Sequence, residues 1–551
     1  MRIVINNISI YAFNKFSPWL VFSIFIALLI SLPLLVIIFS SYNADQSTWK
    51  HVYKYLFPTY VTNSLILLIG VIIFTVLLGV LAAWFTSFYN IPFKKTISLL
   101  LVLPIAIPPY AVAYCYADLT DKGGKIFGWL NAMGAEQLLP LIPSIRSIYG
   151  AIFVLTLTLF PYVYLITKYA FNNNAIKIME SAANLGASRF KLFTKFALPI
   201  SRPALVAAIT LVAMESLADF GVVHFLGVNS LSVGIYKAWF GLDDLSSSAR
   251  LATILLLFSL SAILLERFFR KHKQEKFVSY GKNAQVNLLF KSSNLIPLFF
   301  LVGVLFFSLF VPLIWLSSSV LLNKFVNFRD ILYPTYNSIK LAFLGAIITV
   351  ITASIIIFTK RIYKINLLSF LLNFTKIGYA SPGIVIAIGV ITPVIYFDKK
   401  INHFFNLFGF DVGLVFSSSI LILLFAYLVR FLSVAFNPIE AGIEKISEKV
   451  DYSAANLGAS KGVLFYKIHM PMISVSCLIG FLLVFIDILK ELPVTLILRP
   501  LNFNTLSIYT FEYASSEQLV LAALPALLIT IIGLMPLLFI NKIMNSHMEN
   551  I

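Results

Sequence analysis

The sequence predicts an all-α membrane protein of about twelve transmembrane helices, arranged as two parallel six-helix repeats. Three observations predict it. First, 60% of the 551 residues are hydrophobic and only 12% are charged, about half the charge of an average soluble chain. Mean hydropathy is +0.93, so most of the chain has no surface to offer water. Second, twelve apolar stretches are long enough to cross a bilayer, which takes about 20 residues per helix. Third, the octapeptide Ser-Ala-Ala-Asn-Leu-Gly-Ala-Ser occurs at 181–188 and again at 453–460, a shift of 272 residues, close to half the chain.

The expected spans, in order, are 19–40, 62–86, 97–117, 148–170, 203–224, 249–268, 296–321, 338–359, 378–397, 413–435, 473–489 and 518–541. Several contain Pro or Gly (Pro104, Pro108, Pro109, Pro382, Gly383), which membrane helices tolerate where neighbours satisfy the freed backbone. The first span follows Arg2 and Lys15 and has no small-residue cleavage site after it, so it reads as an uncleaved helix. The eleventh is short and runs into Lys490, Glu491 and Pro493.

With the N-terminus inside, the loops near 87–96, 171–202, 267–294, 360–377 and 436–472, and the C-terminus, are cytoplasmic. About two-thirds of the 41 Lys and Arg then lie inside, the bias the positive-inside rule expects. The net charge of +18 is therefore mostly topology, and nucleic-acid binding is the poorer reading. The basic run Arg267–Lys276 suits anionic lipid. Cys115 and Cys477 both lie in apolar runs, so neither a disulfide nor a metal cluster is implied. The six histidines form no ligand motif. A cofactor is not expected.

The repeat extends beyond the octapeptide. At the same shift Phe193 matches Phe465, Lys195 matches Lys467 and Pro199 matches Pro471. Upstream, Pro-Thr-Tyr-Val-Thr-Asn-Ser at 58–64 is similar to Pro-Thr-Tyr-Asn-Ser at 334–338. The chain divides into a first half, 1–272, a basic cytoplasmic linker, 273–294, and a second half, 295–551. Six spans per half is an even number, so the halves are parallel about an axis along the membrane normal. Each octapeptide falls in a cytoplasmic loop, 171–202 or 436–472. Its small residues before Gly186 and Gly458 read as a helix, a turn and a second helix along the membrane face. Taken alone, such loops serve either as packing elements or as a surface for a partner.

The spacing resembles the coupling loop of ABC importer permeases: Glu-Ala-Ala, three residues, Gly, nine residues, then Ile-x-Leu-Pro. The first copy reads Glu180-Ser181-Ala182, Gly186 and Phe196-Ala197-Leu198-Pro199; the second reads Tyr452-Ser453-Ala454, Gly458 and Ile468-His469-Met470-Pro471. Tyr452 stands where the family has Glu, and Asp451 beside it points about 100° away on a helix. Within these permeases the fused ferric-iron importers are most similar, through Met-Glu-Ser-Leu-Ala-Asp-Phe-Gly at 214–221, Ile-Tyr-Lys-Ala-Trp-Phe at 235–240 and Lys-Glu-Leu-Pro-Val-Thr-Leu-Ile-Leu-Arg-Pro at 490–500.

The resemblance implies a type I permease fold in the inner membrane. It implies two ATP-hydrolysing subunits docked on Glu180, Ala182, Gly186 and Pro199 and on Ala454, Gly458 and Pro471, and a periplasmic or extracellular substrate-binding protein. It also implies that this chain is no enzyme, in keeping with its lack of a Gly-x-x-x-x-Gly-Lys-Ser/Thr phosphate loop. Polyamine, thiamine and sulfate permeases share the architecture. Outside that family the rivals are an ion-coupled secondary transporter, which needs no docking loops, and a channel or scaffold.

The residues give a second, independent pointer. Glu215 and Asp219 are four apart, on one helix face, and the shift of 272 carries them onto Asp487 and Glu491. Ionised groups inside a span are expensive and face a cavity or a partner. The four line a translocation path attractive to hard cations, or they are structural pairs, with Lys490 or Arg499 neutralising Glu491. His224, five residues after Asp219, faces the same mouth or anchors the interface.

Overall fold

The computed structural model describes residues 17–42, 46–172, 176–271, 295–322, 328–365, 371, 378, 381–411 and 413–549. The expected linker 273–294 lies outside the described residues. The main helices of the two halves follow the same order. The first runs α1 (Pro18–Tyr42), α2 (Phe57–Phe88), α3 (Pro109–Thr120), α4 (Ile148–Ala170), α5 (Ile176–Asn184), α6 (Leu198–Ala218), α7 (Gly221–Phe225), α8 (Leu231–Tyr236) and α9 (Leu245–Lys271). The second runs α10 (Ile296–Leu322), α11 (Phe328–Tyr363), α12 (Gly383–Asn406), α13 (Ile420–Glu444), α14 (Glu448–Asn456), α15 (Ser474–Leu489), α16 (Pro493–Leu498), α17 (Leu506–Ser515) and α18 (Leu519–Glu549).

Among the described residues, nine helices are long and apolar enough to cross a membrane, or up to eleven with each bent pair counted as one span. Of the twelve expected spans, the third is a bent pair, Lys94–Ala106 with Pro109–Ala132 at 93°. Its prolines remove backbone donors and hold the preceding residues extended. The eleventh is also bent, Lys461–Met472 with Ser474–Leu489 at 73°. The ninth corresponds to α12, which carries Asp398, Lys399 and Lys400 beyond the expected span and runs on to Asn406, and which is preceded by residues only partly described.

The first helix of each half reaches into the other, and α1 divides between the two, with Leu34 and Ile37 buried in the cluster of the first half. Leu301, Leu305, Leu309 and Trp315 of α10 are buried in the hydrophobic cluster of the first half, while Leu20 and Ile30 of α1 are buried in that of the second. Polar contacts pin the exchange. Tyr116 of α3 donates to the Phe307 carbonyl at 2.6 Å, and the Trp315 indole donates to Asp118 at 2.6 Å. Cys115 sits in this seam as a buried free thiol. The halves are thus interlocked.

Candidate functional site

The cavity begins where the fifth spans of both halves break. In the first half α6 ends at Ala218, and the Asp219 carboxylate accepts hydrogen bonds from the Val222 and Val223 amides, at 3.0 and 3.3 Å, capping α7. In the second half α15 ends at Leu489, and Glu491 Oε1 accepts from the Val494 amide at 3.2 Å, capping α16. Side-chain oxygens satisfy amides that the start of a helix leaves free.

A matched brace fixes both corners. Ser232 donates to the Asp219 carbonyl at 2.8 Å, and Ser507 to the Glu491 carbonyl at 2.9 Å. The brace is tied to the second spans. Asn63 donates to the Asn229 carbonyl and Ser64 accepts from the Leu231 amide. In the second half, Asn337 donates to the Asn504 carbonyl and Ser338 accepts from the Leu506 amide. The Asn-Ser pairs of 58–64 and 334–338, found in the sequence only as a repeat, thus hold the acidic corners. Ser338→Ala is expected to loosen the second corner by about 1 kcal/mol, the worth of one buried hydrogen bond, read as a lower melting midpoint in detergent.

Glu215, Asp219, Asp487 and Glu491 all line one cavity of about 90 Å³, together with Tyr110, Tyr162, Arg430 and Lys490. That is room for several waters. The structure therefore brings together the four carboxylates that the repeat related. The cations differ from expectation. Lys490 pairs with Asp487 at 3.0 Å rather than with Glu491. Arg499 bonds Asn504 and Glu512. Glu491 is met instead by Arg430 of α13, with Nη1 3.3 Å from Oε1. Arg430 was missed in the sequence, although a lone arginine inside the apolar stretch 413–435 is itself a signal.

The two halves meet tightly here. A Cβ on Gly221 would stand 3.0 Å from Tyr110 and 3.2 Å from Leu492 of the other half. His224 lies outside the cavity lining, its ring 4.9 Å from Phe220, 5.6 Å from Tyr236 and 5.5 Å from Phe511. On the same side Arg146 makes a forked pair with Glu517 of the second half, at 3.0 and 2.8 Å, and bonds Asp121 at 2.8 Å.

The repeated loops share their geometry atom for atom. Gly186 and Gly458 adopt φ of +84° and +79°. The Gly186 amide bonds the Ala183 carbonyl and the Ala187 amide the Ala182 carbonyl; the Gly458 amide bonds Ala455 and the Ala459 amide Ala454. This is a Schellman ending, which needs a left-handed residue after the helix. Ser188 and Ser460 then cap the next helix. Ala182 and Ala454 are each 6% exposed and face inward, so the small residues pack the loop against its own half. The outward tip is Leu185, 89% exposed, and Leu457, 88% exposed. Pro199 and Pro471 are exposed.

Behind each tip an aromatic joint ties the loop to the second span, Trp84 on Phe193 at 5.1 Å and Phe358 on Phe465 at 5.0 Å. A π-helical turn follows in both copies, Leu192–Ala197 and Leu464–His469. From there the halves diverge. Arg189–Ala218 is one unbroken helix, whereas its counterpart bends by 73°.

The second loop is also clamped by charge. Arg361 bonds Asp451 at 2.6 Å and reaches the Ile443 and Ile446 carbonyls, and His469 is 2.7 Å from the other Asp451 oxygen. Lys364 pairs with Glu448 at 2.8 Å, and its hydrogen bond and charge hold that carboxyl below the usual range. Asp451 is thus committed inward and does not stand in for the motif Glu, while Tyr452 is exposed. Glu180 in the first loop keeps a buried oxygen, Oε1, with no hydrogen-bond donor among the described residues. Arg361→Gln leaves Asp451 without its guanidinium and is expected to destabilise the second loop by about 3 kcal/mol. The check is proteolysis near 447–470, which should quicken while cleavage near the first loop is unchanged.

Residues 75–274 match the family described as binding-protein-dependent transport system inner membrane component. The chain is 24% identical over 489 residues to the Fe(3+)-transport system permease protein FbpB 2 of Haemophilus influenzae, covering 87% of this chain and 89% of that one. It is 27% identical over 263 residues to the sulfate transport system permease protein CysT of Escherichia coli, 45% of this chain and 91% of the other. It is 26% identical over 219 residues to the molybdenum transport system permease protein ModB of H. influenzae, 39% of this chain and 93% of the other.

Proposed function

We propose that this two-half permease subunit of a binding-protein-dependent ABC importer carries ferric iron across the inner membrane. The observation that carries the choice of cargo is the cavity. Four carboxylates line it against two cationic side chains, an oxygen-rich acidic surface that suits a hard cation and repels sulfate or molybdate. The similarity to an Fe(3+)-transport permease along most of the chain supports the same choice.

The mechanism is alternating access. ATP binding draws together two ATPase subunits seated on the loops of Gly186 and Gly458. The fifth spans carry that movement to Glu215, Asp219, Asp487 and Glu491. The cavity opens towards a loaded periplasmic binding protein, takes its cargo and reopens inward after hydrolysis. In this reading the contacts of Phe511 with Phe220 and His224, and the Arg146–Glu517 pair, close the outward path. In this reading both termini are cytoplasmic, and the chain performs no covalent chemistry.

The test is radiolabelled ferric-iron uptake in cells with and without this chain, its ATPase present. Saturable uptake that disappears without the chain and returns with it supports the cargo. Unchanged iron uptake, with the ATPase still co-purifying, moves the cargo to another small solute such as a polyamine, thiamine or an oxyanion.

A further inference from the structure

The four carboxylates are the acidic part of the cavity lining; two of the hydrogen-bond donors beside them are unexplained. Arg430 is largely buried and belongs to the cavity wall. Its Nη1 lies 3.3 Å from Glu491 Oε1, close enough for charge attraction, yet among the described residues neither Nη1 nor Nε has a hydrogen-bond acceptor. Tyr110, 3% exposed and in the same wall, has a buried hydroxyl that also lacks a partner among the described residues.

The local packing keeps the guanidinium where it is. A methyl group on Gly383 would collide with Arg430 Nη1 and stand 2.7 Å from Glu491 Oε1, so the bare α-carbon at the start of α12 makes the room. The aromatic face of Phe431 lies 5.4 Å from the guanidinium carbon, a cation–π contact that holds the group without using its N–H bonds.

Buried donors call for acceptors. A guanidinium fork is shaped for carboxylate or oxyanion oxygens. Metal-bound water is a poor acceptor, because its lone pair is engaged by the metal. A bare or hydrated cation would therefore satisfy the four carboxylates and leave these donors unmet. Resting on the ferric-iron reading above, we infer that the cavity takes its cation together with a small anionic oxygen ligand, the metal towards the carboxylates and the ligand oxygens on Arg430 and Tyr110. Arg430 is then a specificity-determining residue for the liganded form of the cargo.

The experiment uses the complete importer in proteoliposomes, with its ATPase and binding protein. Radiolabelled ferric iron is offered with labelled inorganic phosphate in one arm and labelled oxalate in the other. Wild type should accumulate ligand label with the iron in at least one arm, and the arm identifies an inorganic or a carboxylate source. Tyr110→Phe removes one hydroxyl and preserves the ring packing. It should raise the apparent KM for the liganded iron by about tenfold, the effect of losing a hydrogen bond to a charged group, with kcat and protein yield unchanged. Arg430→Lys keeps a positive charge opposite Glu491 but cannot present the fork, and should lower uptake of the liganded iron at least as much. Iron entry by wild type with no ligand label in either arm overturns the inference while sparing the cargo. So do KM values in both variants equal to wild type. No iron entry in wild type under either condition overturns the cargo reading and this inference together.

Discussion

Asp219→Asn is expected to cut ferric-iron uptake by at least tenfold while leaving the amount of membrane-inserted protein unchanged. Asp219 does two things that this substitution separates. Its oxygen caps α7 through the Val222 and Val223 amides, and its charge faces the cavity. Asparagine and aspartate cap helices almost equally well, so the corner keeps its shape. The charge alone is removed. At an effective dielectric of 20, one unit charge about 4 Å from another is worth about 4 kcal/mol, and a trivalent cargo feels more. A tenfold fall needs only about 1.4 kcal/mol of that at the rate-limiting step. Uptake in cells, normalised to the quantity of permease in purified membranes, reads the result. Wild-type uptake at equal expression would make the carboxylate a structural cap only.

The matching variant at the other corner has a different expectation. Glu491→Gln leaves Arg430 without its carboxylate, so part of its effect is on folding, and uptake and yield should fall together. Comparing Asp219→Asn with Glu491→Gln thus separates the acidic corner that is ion-paired from the one that is held by amides.

Gly186→Val should uncouple ATP hydrolysis from transport. The backbone at Gly186 has φ of +84°, and a Cβ there would meet nothing within 4 Å. The penalty is therefore one of backbone conformation rather than crowding. A β-branched residue in this region is a genuine outlier, at a cost of about 1–3 kcal/mol. Relieving it opens the turn and moves Leu185, the exposed tip. In proteoliposomes with the ATPase, the ratio of iron transported to ATP hydrolysed should drop more than tenfold. Gly186→Asn, which tolerates a left-handed backbone better, should fall between valine and wild type. A normal ratio in a well-inserted Gly186→Val protein would mean that the loop tip does not transmit movement. The same series at Gly458 tests whether the clamped second loop is less sensitive, since Arg361 and His469 hold its flank.

The all-helical class, the twofold repeat and the two turn glycines were legible in the residues themselves. The octapeptide is local information: a Schellman turn and a serine cap are made within eight residues, so their sequence spells their geometry. The four carboxylates were legible for a related reason. A shift of 272 carries one helix end onto another, and matched ends in matched halves meet at the axis. The prolines at 104, 108 and 109 were read as tolerated within one span, and the chain instead bends there by 93°.

Only the tertiary structure decided what each charge meets. Arg430 finds Glu491 across 61 positions of chain from a different helix, and Lys490 turns to Asp487, one turn back on its own helix. It also decided that α1 and α10 each reach across into the other half, and that Ala182 and Ala454 face inward. The physical reason is common to all three. Spans such as α1, α2 and α11 are apolar on every side, so the periodic stripe that orients a helix in a water-soluble protein is missing. Without that stripe the sequence fixes where a helix starts and stops, and close packing between helices fixes which face it turns and which neighbour it keeps.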